Sequence, residues 1–272
     1  MKKDLYIYNE ATGWILTSGC RNGITAVPDG DDWNREFQRG TFIPMSLMQD
    51  DPLIVRVVVN EPLGEQEEQE WLDRFEWKLA IPDGRLALCG GIEFLDSPDE
   101  WQEYARYVEV PPGDYLVTVY TYFGSVNAPD EDDVDGKGET LKQYWKRTRK
   151  REKVPVWIIA ADEGEEWEAD VPTYLVGNVV HLMPLEREPT PFPEPMGWID
   201  EEVSRRLPEL CPRGILTTEV EGLTDREEYV QTDLQYVHKI PELVADLQPV
   251  PVRHESVAVG VQEIVLPYWL AW

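Results

Sequence analysis

The side chains that could do chemistry in this chain are mostly carboxylates. Among 272 residues there are 53 Asp and Glu against 25 Lys and Arg, a formal net charge of −28. The densest run is Asp130-Glu131-Asp132-Asp133-Val134-Asp135-Gly136. Its alternating acids and its glycine invite comparison with a calcium-binding loop. Counted from Glu131, Gly136 takes the sixth position, but the twelfth is Lys142, where such a loop needs a bidentate Glu. The sequence therefore predicts an exposed acidic loop there and no metal site. A second acidic run, 162–170, contains Trp167. Asp130, Glu131, Asp132, Asp133 and Asp135, with Glu163, Glu165, Glu166, Trp167 and Glu168, are the candidate partner-binding residues. A carboxylate surface of this density repels nucleic acid and attracts a basic protein, speeding encounter through its rim charges.

The bases are concentrated too. Lys137, Lys142, Lys146, Arg147, Arg149, Lys150, Arg151 and Lys153 place eight of the 25 in one span of 17 residues. Thr140-Leu141-Lys142-Gln143 reads as a capping box, with Thr140 as N-cap and Gln143 reaching back. Leu141, Tyr144, Trp145 and Thr148 follow as a helical stripe, with Pro155 beyond it. Trp145, Lys146, Arg147, Arg149, Lys150 and Arg151 form the candidate basic helix. Its charges suit a helix C-terminus, or docking on the protein's own acids, or a phosphate or an acidic partner.

No catalytic set declares itself. His181, His238 and His254 are scattered, outside any H-E-x-x-H or G-x-S-x-G context. Cys20, in Gly19-Cys20-Arg21-Asn22-Gly23, could act as a nucleophile only if a His approached in space, and is read as a partly buried thiol. The three cysteines, Cys20, Cys89 and Cys211, are odd in number and far apart, which fits free thiols in a reducing cytoplasm. No C-x-x-C pair suggests zinc, and no cofactor is expected. Met1-Lys2-Lys3 leads into no apolar stretch of the signal-peptide kind, and no run reaches the ~18 apolar residues of a membrane helix.

The elements that must position these residues are β-strands. Phe75, Trp77, Leu79 and Ile81 alternate with polar neighbours, the period of a half-buried strand. Pro82-Asp83-Gly84 follows, and Leu86 and Leu88 continue beyond it. Val108 and Val110 lead into Pro111-Pro112-Gly113-Asp114, after which Tyr115, Val117, Val119 and Phe123 share a face. Two hairpins, over 75–88 and 106–123, are predicted, with a third at the N-terminus between 5–8 and 14–17. Residues 53–60, broken only by Arg56, read as a central strand with Arg56 near one rim. Residues 61–70 read as a solvated acidic connector, and 156–161 and 174–183 as further strands. Trp33 and Phe37, four apart, allow a helical turn packed on the sheets.

The order Glu76-Trp77, Leu79, Pro82-Asp83-Gly84-Arg85-Leu86, Gly90, then Val108, Val110, Pro112-Gly113-Asp114-Tyr115 resembles a group of bacterial β-sandwich proteins. That group is similar to small cytosolic inhibitor and toxin-immunity proteins, including the nuclease inhibitor of bacterial competence. The resemblance covers about a fifth of the chain. Its motifs are turn chemistry, so it implies a fold and carries over no catalytic residues.

The expected architecture is mainly β: an antiparallel β-sandwich built from hairpins, with a few short helices and a mixed α+β C-terminal part. A sandwich domain over 1–183, a proline-rich connector over 184–197 and a smaller α+β subdomain over 198–272 are the expected divisions. Helices over 198–207 and 224–240, strands at 215–220 and 257–266, and an aromatic terminus packed in a core or a subunit contact complete it. The expected function is that of a non-catalytic acidic cytoplasmic binding protein, an inhibitor or immunity-type factor neutralising a basic protein partner. Two alternatives stand beside it. One is a carboxylate-dependent hydrolase of carbohydrates or esters, since paired acids in an aromatic-lined cleft would suffice. The other is a structural or assembly subunit, a homo-oligomer whose basic helix meets another copy's acidic face.

Overall fold

The fold comes from a computed structural model that describes residues 1–9, 13–28, 30–47, 51–91, 95–163, 172–189 and 206–223. All of them lie in a first compact unit, Met1–Gln231; Thr232–Trp272 make up a second unit, outside the described residues. The strands are β1 (Lys2–Ile7), β2 (Gly13–Ser18), β3 (Phe42–Ser46), β4 (Leu53–Val59), β5 (Asp73–Ile81), β6 (Arg85–Gly90), β7 (Arg106–Glu109), β8 (Gly113–Thr121), β9 (Tyr174–Leu175), β10 (Asn178–Pro184) and β11 (Leu216–Thr217). The helices are α1 (Gly30–Arg39), α2 (Glu65–Glu70), α3 (Pro98–Tyr104), α4 (Leu141–Thr148) and α5 (Val156–Glu163).

Three sheets result: five strands in the order β1-β4-β10-β8-β5, four in the order β3-β2-β6-β7, and the pair β11-β9. Every pairing between these strands is antiparallel except that of β10 with β4, which is parallel. One buried cluster takes Val55, Val57, Trp77, Leu79, Val117, Val119 and Val180 from the five-stranded sheet. From the four-stranded sheet it takes Trp14, Leu16, Phe42, Ile43, Leu86, Leu88 and Val108. Phe37 of α1 stacks on Trp77 with ring centroids 4.8 Å apart, and Trp33 meets Phe42 edge-on at 4.8 Å, as the four-residue spacing predicts.

The predicted hairpins are corrected. Each strand is present, but neither turn joins partners within one sheet. Pro82-Asp83-Gly84 carries the chain from β5 in the larger sheet to β6 in the smaller, and Pro111-Pro112 carries it back from β7 to β8. β5 pairs with β8 from Asp73↔Thr121 to Ile81↔Gly113, and β6 pairs with β7 from Arg85↔Glu109. The two crossings lie side by side, the Val110 N–H donating to the Gly84 carbonyl at 2.9 Å. Gly84 has φ +73°, and a Cβ there would come within 3.1 Å of the Val110 carbonyl oxygen. The N-terminal hairpin is corrected in the same way, since β1 and β2 belong to different sheets. Turn residues specify that the chain reverses; the partner is chosen by which apolar faces must meet.

Residues 156–161 are helix, not strand. Trp157, Ile158 and Ala160 are buried, and a short run apolar on all sides carries no period to tell helix from strand. Residues 61–70 are not a solvated loop throughout, because α2 occupies 65–70 and buries Glu67 and Glu70. Arg56 sits mid-strand in β4, away from any rim. The strand read over 174–183 is split into β9 and β10. Of the 215–220 strand only Leu216–Thr217 is formed. The connector beyond 189, the helix over 224–240, the 257–266 strands and the aromatic terminus lie outside the described residues. So does the 198–207 helix, apart from Arg206 and Leu207, which are not helical.

Candidate protein-binding surface

The acidic run 130–135 sits in a loop that leaves β8 and returns to α4. Its carboxylates build the loop they decorate. Asp130 Oδ1 accepts the Asp132 N–H at 2.9 Å, Asp133 Oδ1 the Gly138 N–H at 2.5 Å, and Asp135 Oδ1 the N–H groups of Lys137 at 2.9 Å and Glu139 at 3.2 Å. Asp side chains close short backbone turns in this way. The Glu139 amide holds the Asp135 carboxyl below its usual range, with Lys137 adding to the effect. Val134 is buried at 4% exposure, in a cluster with Leu141, Tyr144, Trp145 and Trp157. Its N–H donates to the Glu139 carbonyl at 2.9 Å, and the Leu141 N–H donates to the Glu131 carbonyl at 2.7 Å. The loop is thus clipped to the body at its middle. Asp130, Glu131, Asp132 and Asp133 remain exposed, and none makes an ion pair with a described residue.

The other acidic candidates are only partly placed. Glu163 is the last residue of α5, and Glu165, Glu166, Trp167 and Glu168 lie outside the described residues.

The basic helix forms as its capping box predicts. Thr140 accepts the Gln143 N–H, and the Gln143 side chain accepts the Thr140 N–H, each at 3.2 Å. Its members then divide. Trp145 and Arg149 are interior: Arg149 donates to the Cys211 carbonyl, stacks over the Trp145 ring at 5.2 Å, and faces Glu70 at 3.8 Å and Glu152 at 3.3 Å. Arg147 makes a two-pronged pair with Glu139 at 2.6 Å for each bond. Lys146, Lys150 and Arg151 are exposed and make no ion pair with a described residue.

A second buried charge network was not foreseen. Glu67, with its side chain 4% exposed, accepts from Lys2 at 2.7 Å, Arg56 at 2.9 Å and the Gly64 N–H at 2.7 Å. Arg56 forks onto both oxygens of Asp4 at 2.7 Å. Burial works to raise the Glu67 carboxyl, but these donors outweigh it and hold the group below its usual range. Two signals were available in the sequence. Gly64-x-x-Glu67 is a helix start with its acid at the third position, and Glu67 and Glu70 are three apart on one helical face. This network welds β1, β4 and α2, and leaves fewer cations to offset the exterior.

The thiols do not form a site. Cys20 is exposed, not partly buried as its sequence context suggested; Cys89 and Cys211 are buried, and burial pushes the Cys211 thiol up to about 12. Among the described residues no group of three or more His, Cys, Asp or Glu could hold a metal ion, and no helix is long and apolar enough to cross a membrane.

No family model matches the chain, and no curated protein matches it. Two solved structures align with it. One, described as crocagin biosynthetic gene J, is 18% identical with a TM-score of 0.40, over 69% of this chain and 99% of the other. The second is ComJ of Bacillus subtilis, inhibitor of the DNA degrading activity of NucA. It is 10% identical with a TM-score of 0.30, over 44% of this chain and 81% of that one. Likenesses at this level transfer neither structure nor activity to this chain.

Proposed function

We propose that this chain is a non-catalytic, acidic, cytoplasmic protein that neutralises a basic protein partner, as an inhibitor or immunity-type factor does, on a two-layer β-sandwich scaffold. The observation that carries the reading is the loop 130–135. Its backbone is held in one arrangement by the turns that Asp130, Asp133 and Asp135 close and by buried Val134, so little backbone ordering is left for binding to require. The scaffold reading is supported by the cluster to which both large sheets contribute. Arg56, Arg147, Arg149, Arg187 and Arg213 are engaged with the chain's own acids. Against a net charge of −28 the exterior is left strongly negative. Such a surface raises the association rate with a basic cleft and does so less as salt rises.

The test uses the immobilised full chain and a cell extract, with a loop variant carrying Asp130→Asn, Glu131→Gln, Asp132→Asn and Asp133→Asn. An amide oxygen can still accept the Asp132 and Gly138 N–H bonds, so the loop keeps its shape while losing four of its five carboxylates. The expected result is a basic protein retained at about 0.05 M salt, released by about 0.5 M, and not retained by the variant. A bound protein indifferent to both salt and the variant would remove the proposal.

A further inference from the structure

The outer edge of β1 is only partly covered. Glu221 donates its N–H to the Asp4 carbonyl at 2.8 Å and accepts from the Tyr6 N–H at 2.9 Å, forming a lone parallel bridge beside Leu5. These bonds set the parity of the strand. In an antiparallel ladder the N–H and C=O of one residue point to the same side, and sides alternate along the chain. Lys2, Asp4 and Tyr6 therefore turn their backbone groups away from β4, while Lys3 and Leu5 face it.

Ahead of Glu221 the chain diverges from β1 to form β11. The gap is a cleft of about 740 Å³, lined by Lys2, Asp4, Leu216, Thr217, Glu219 and Val220 among others. That volume is in the range of binding clefts. The Asp4 N–H and both backbone groups of Lys2 turn to this side with no partner among the described residues. Among the described residues β11 bonds only to β9, and its Leu216 and Thr217 line the cleft opposite β1. The open stretch of β1 thus forms one wall of the cleft.

We propose that this cleft takes an extended peptide segment of a partner protein, added as a strand to the open stretch of β1. Main-chain bonds to that edge would provide affinity, and side chains set against β11 selectivity. About three or four residues, at about 3.3 Å each, match the open stretch of β1. The charges of the cleft are largely engaged: Lys2 with Glu67, Lys3 with Glu221, Asp4 with Arg56. Glu219 is exposed and makes no ion pair with a described residue, and Leu216 is 44% exposed. The segment that fits is one alternating basic and apolar side chains. The proposal concerns backbone recognition and does not depend on the acidic loop.

The test pans the full chain against a displayed library of random octapeptides, then synthesises the enriched peptide and N-methylates each position in turn. Binding should weaken by about tenfold or more at the one position whose N–H meets the Lys2 carbonyl, the open acceptor on this stretch, and much less at its two neighbours, the signature of a lost main-chain bond. The Asp4 amide, open in the free chain, should exchange at least about tenfold more slowly with peptide bound, while Lys3 and Leu5, already in the ladder, stay unchanged. Leu216→Lys, which removes the apolar contact and repels a basic segment, should reduce binding, and the loop variant at 130–133 should leave it intact. Three outcomes overturn the proposal: no peptide enriched, N-methylation with equal effect at neighbouring positions, or a bound peptide that leaves Asp4 exchange as it was.

Discussion

Glu67 shows what a single acid among 53 can be doing. Removing one partner of a buried ion pair strands the other, so Glu67→Gln should cost about 3–5 kcal/mol, measured by urea unfolding near neutral pH. The pH dependence has a definite sign. The folded-state value is held below the unfolded 4.5, so the stabilisation is complete above 4.5 and is lost as pH falls through the folded value. Below pH 4.5 the native chain should lose stability more steeply than Glu67→Gln. Residues 61–70 read as solvated from the sequence because Glu67's partners are remote. Arg56 is 11 positions away and Lys2 is 65. The acids of the 130–135 loop were legible as a group, because their turn chemistry is local.

At the scale of elements, the loop 130–135 makes preorganisation testable apart from charge. Val134→Ala removes no carboxylate but loosens the clip into the cluster of Leu141 and Trp157. Affinity for the basic partner should fall by about tenfold, and the Lys137, Gly138 and Glu139 amides should lose protection from exchange, with a modest global cost of about 1–2 kcal/mol. Unchanged affinity would mean that the loop's order contributes nothing. α4 was readable because a capping box and an apolar stripe are both written within a few residues. α5 was not, because Trp157 and Ile158 are buried on neighbouring sides of a short helix, and no alternation marks it.

At the scale of the molecule, residues 206–223 are packed on the body formed by the N-terminal strands. Cys211 enters the cluster of Leu141 and Trp145, and Ile215 enters that of Tyr120 and Val179. The Arg206 guanidinium stacks over Trp71 at 3.9 Å, and Trp157 donates to the Arg213 carbonyl at 2.7 Å. A chain ending at residue 189 should therefore unfold without a cooperative transition and bind a hydrophobic dye near neutral pH. A melting midpoint equal to that of the full chain would instead show that the N-terminal part folds by itself.

The sequence alone determined where the alternating strands run and where the chain turns, because side-chain alternation and Pro-Gly dihedral preferences act over a few residues. It also determined the net charge, which is a sum over residues and needs no fold. Only the tertiary structure decided that β5 pairs with β8, that Glu67 is interior, and that an open stretch of β1 and residues of β11 line one cleft. Each of these depends on which distant segments exclude water together, and no local pattern encodes that choice.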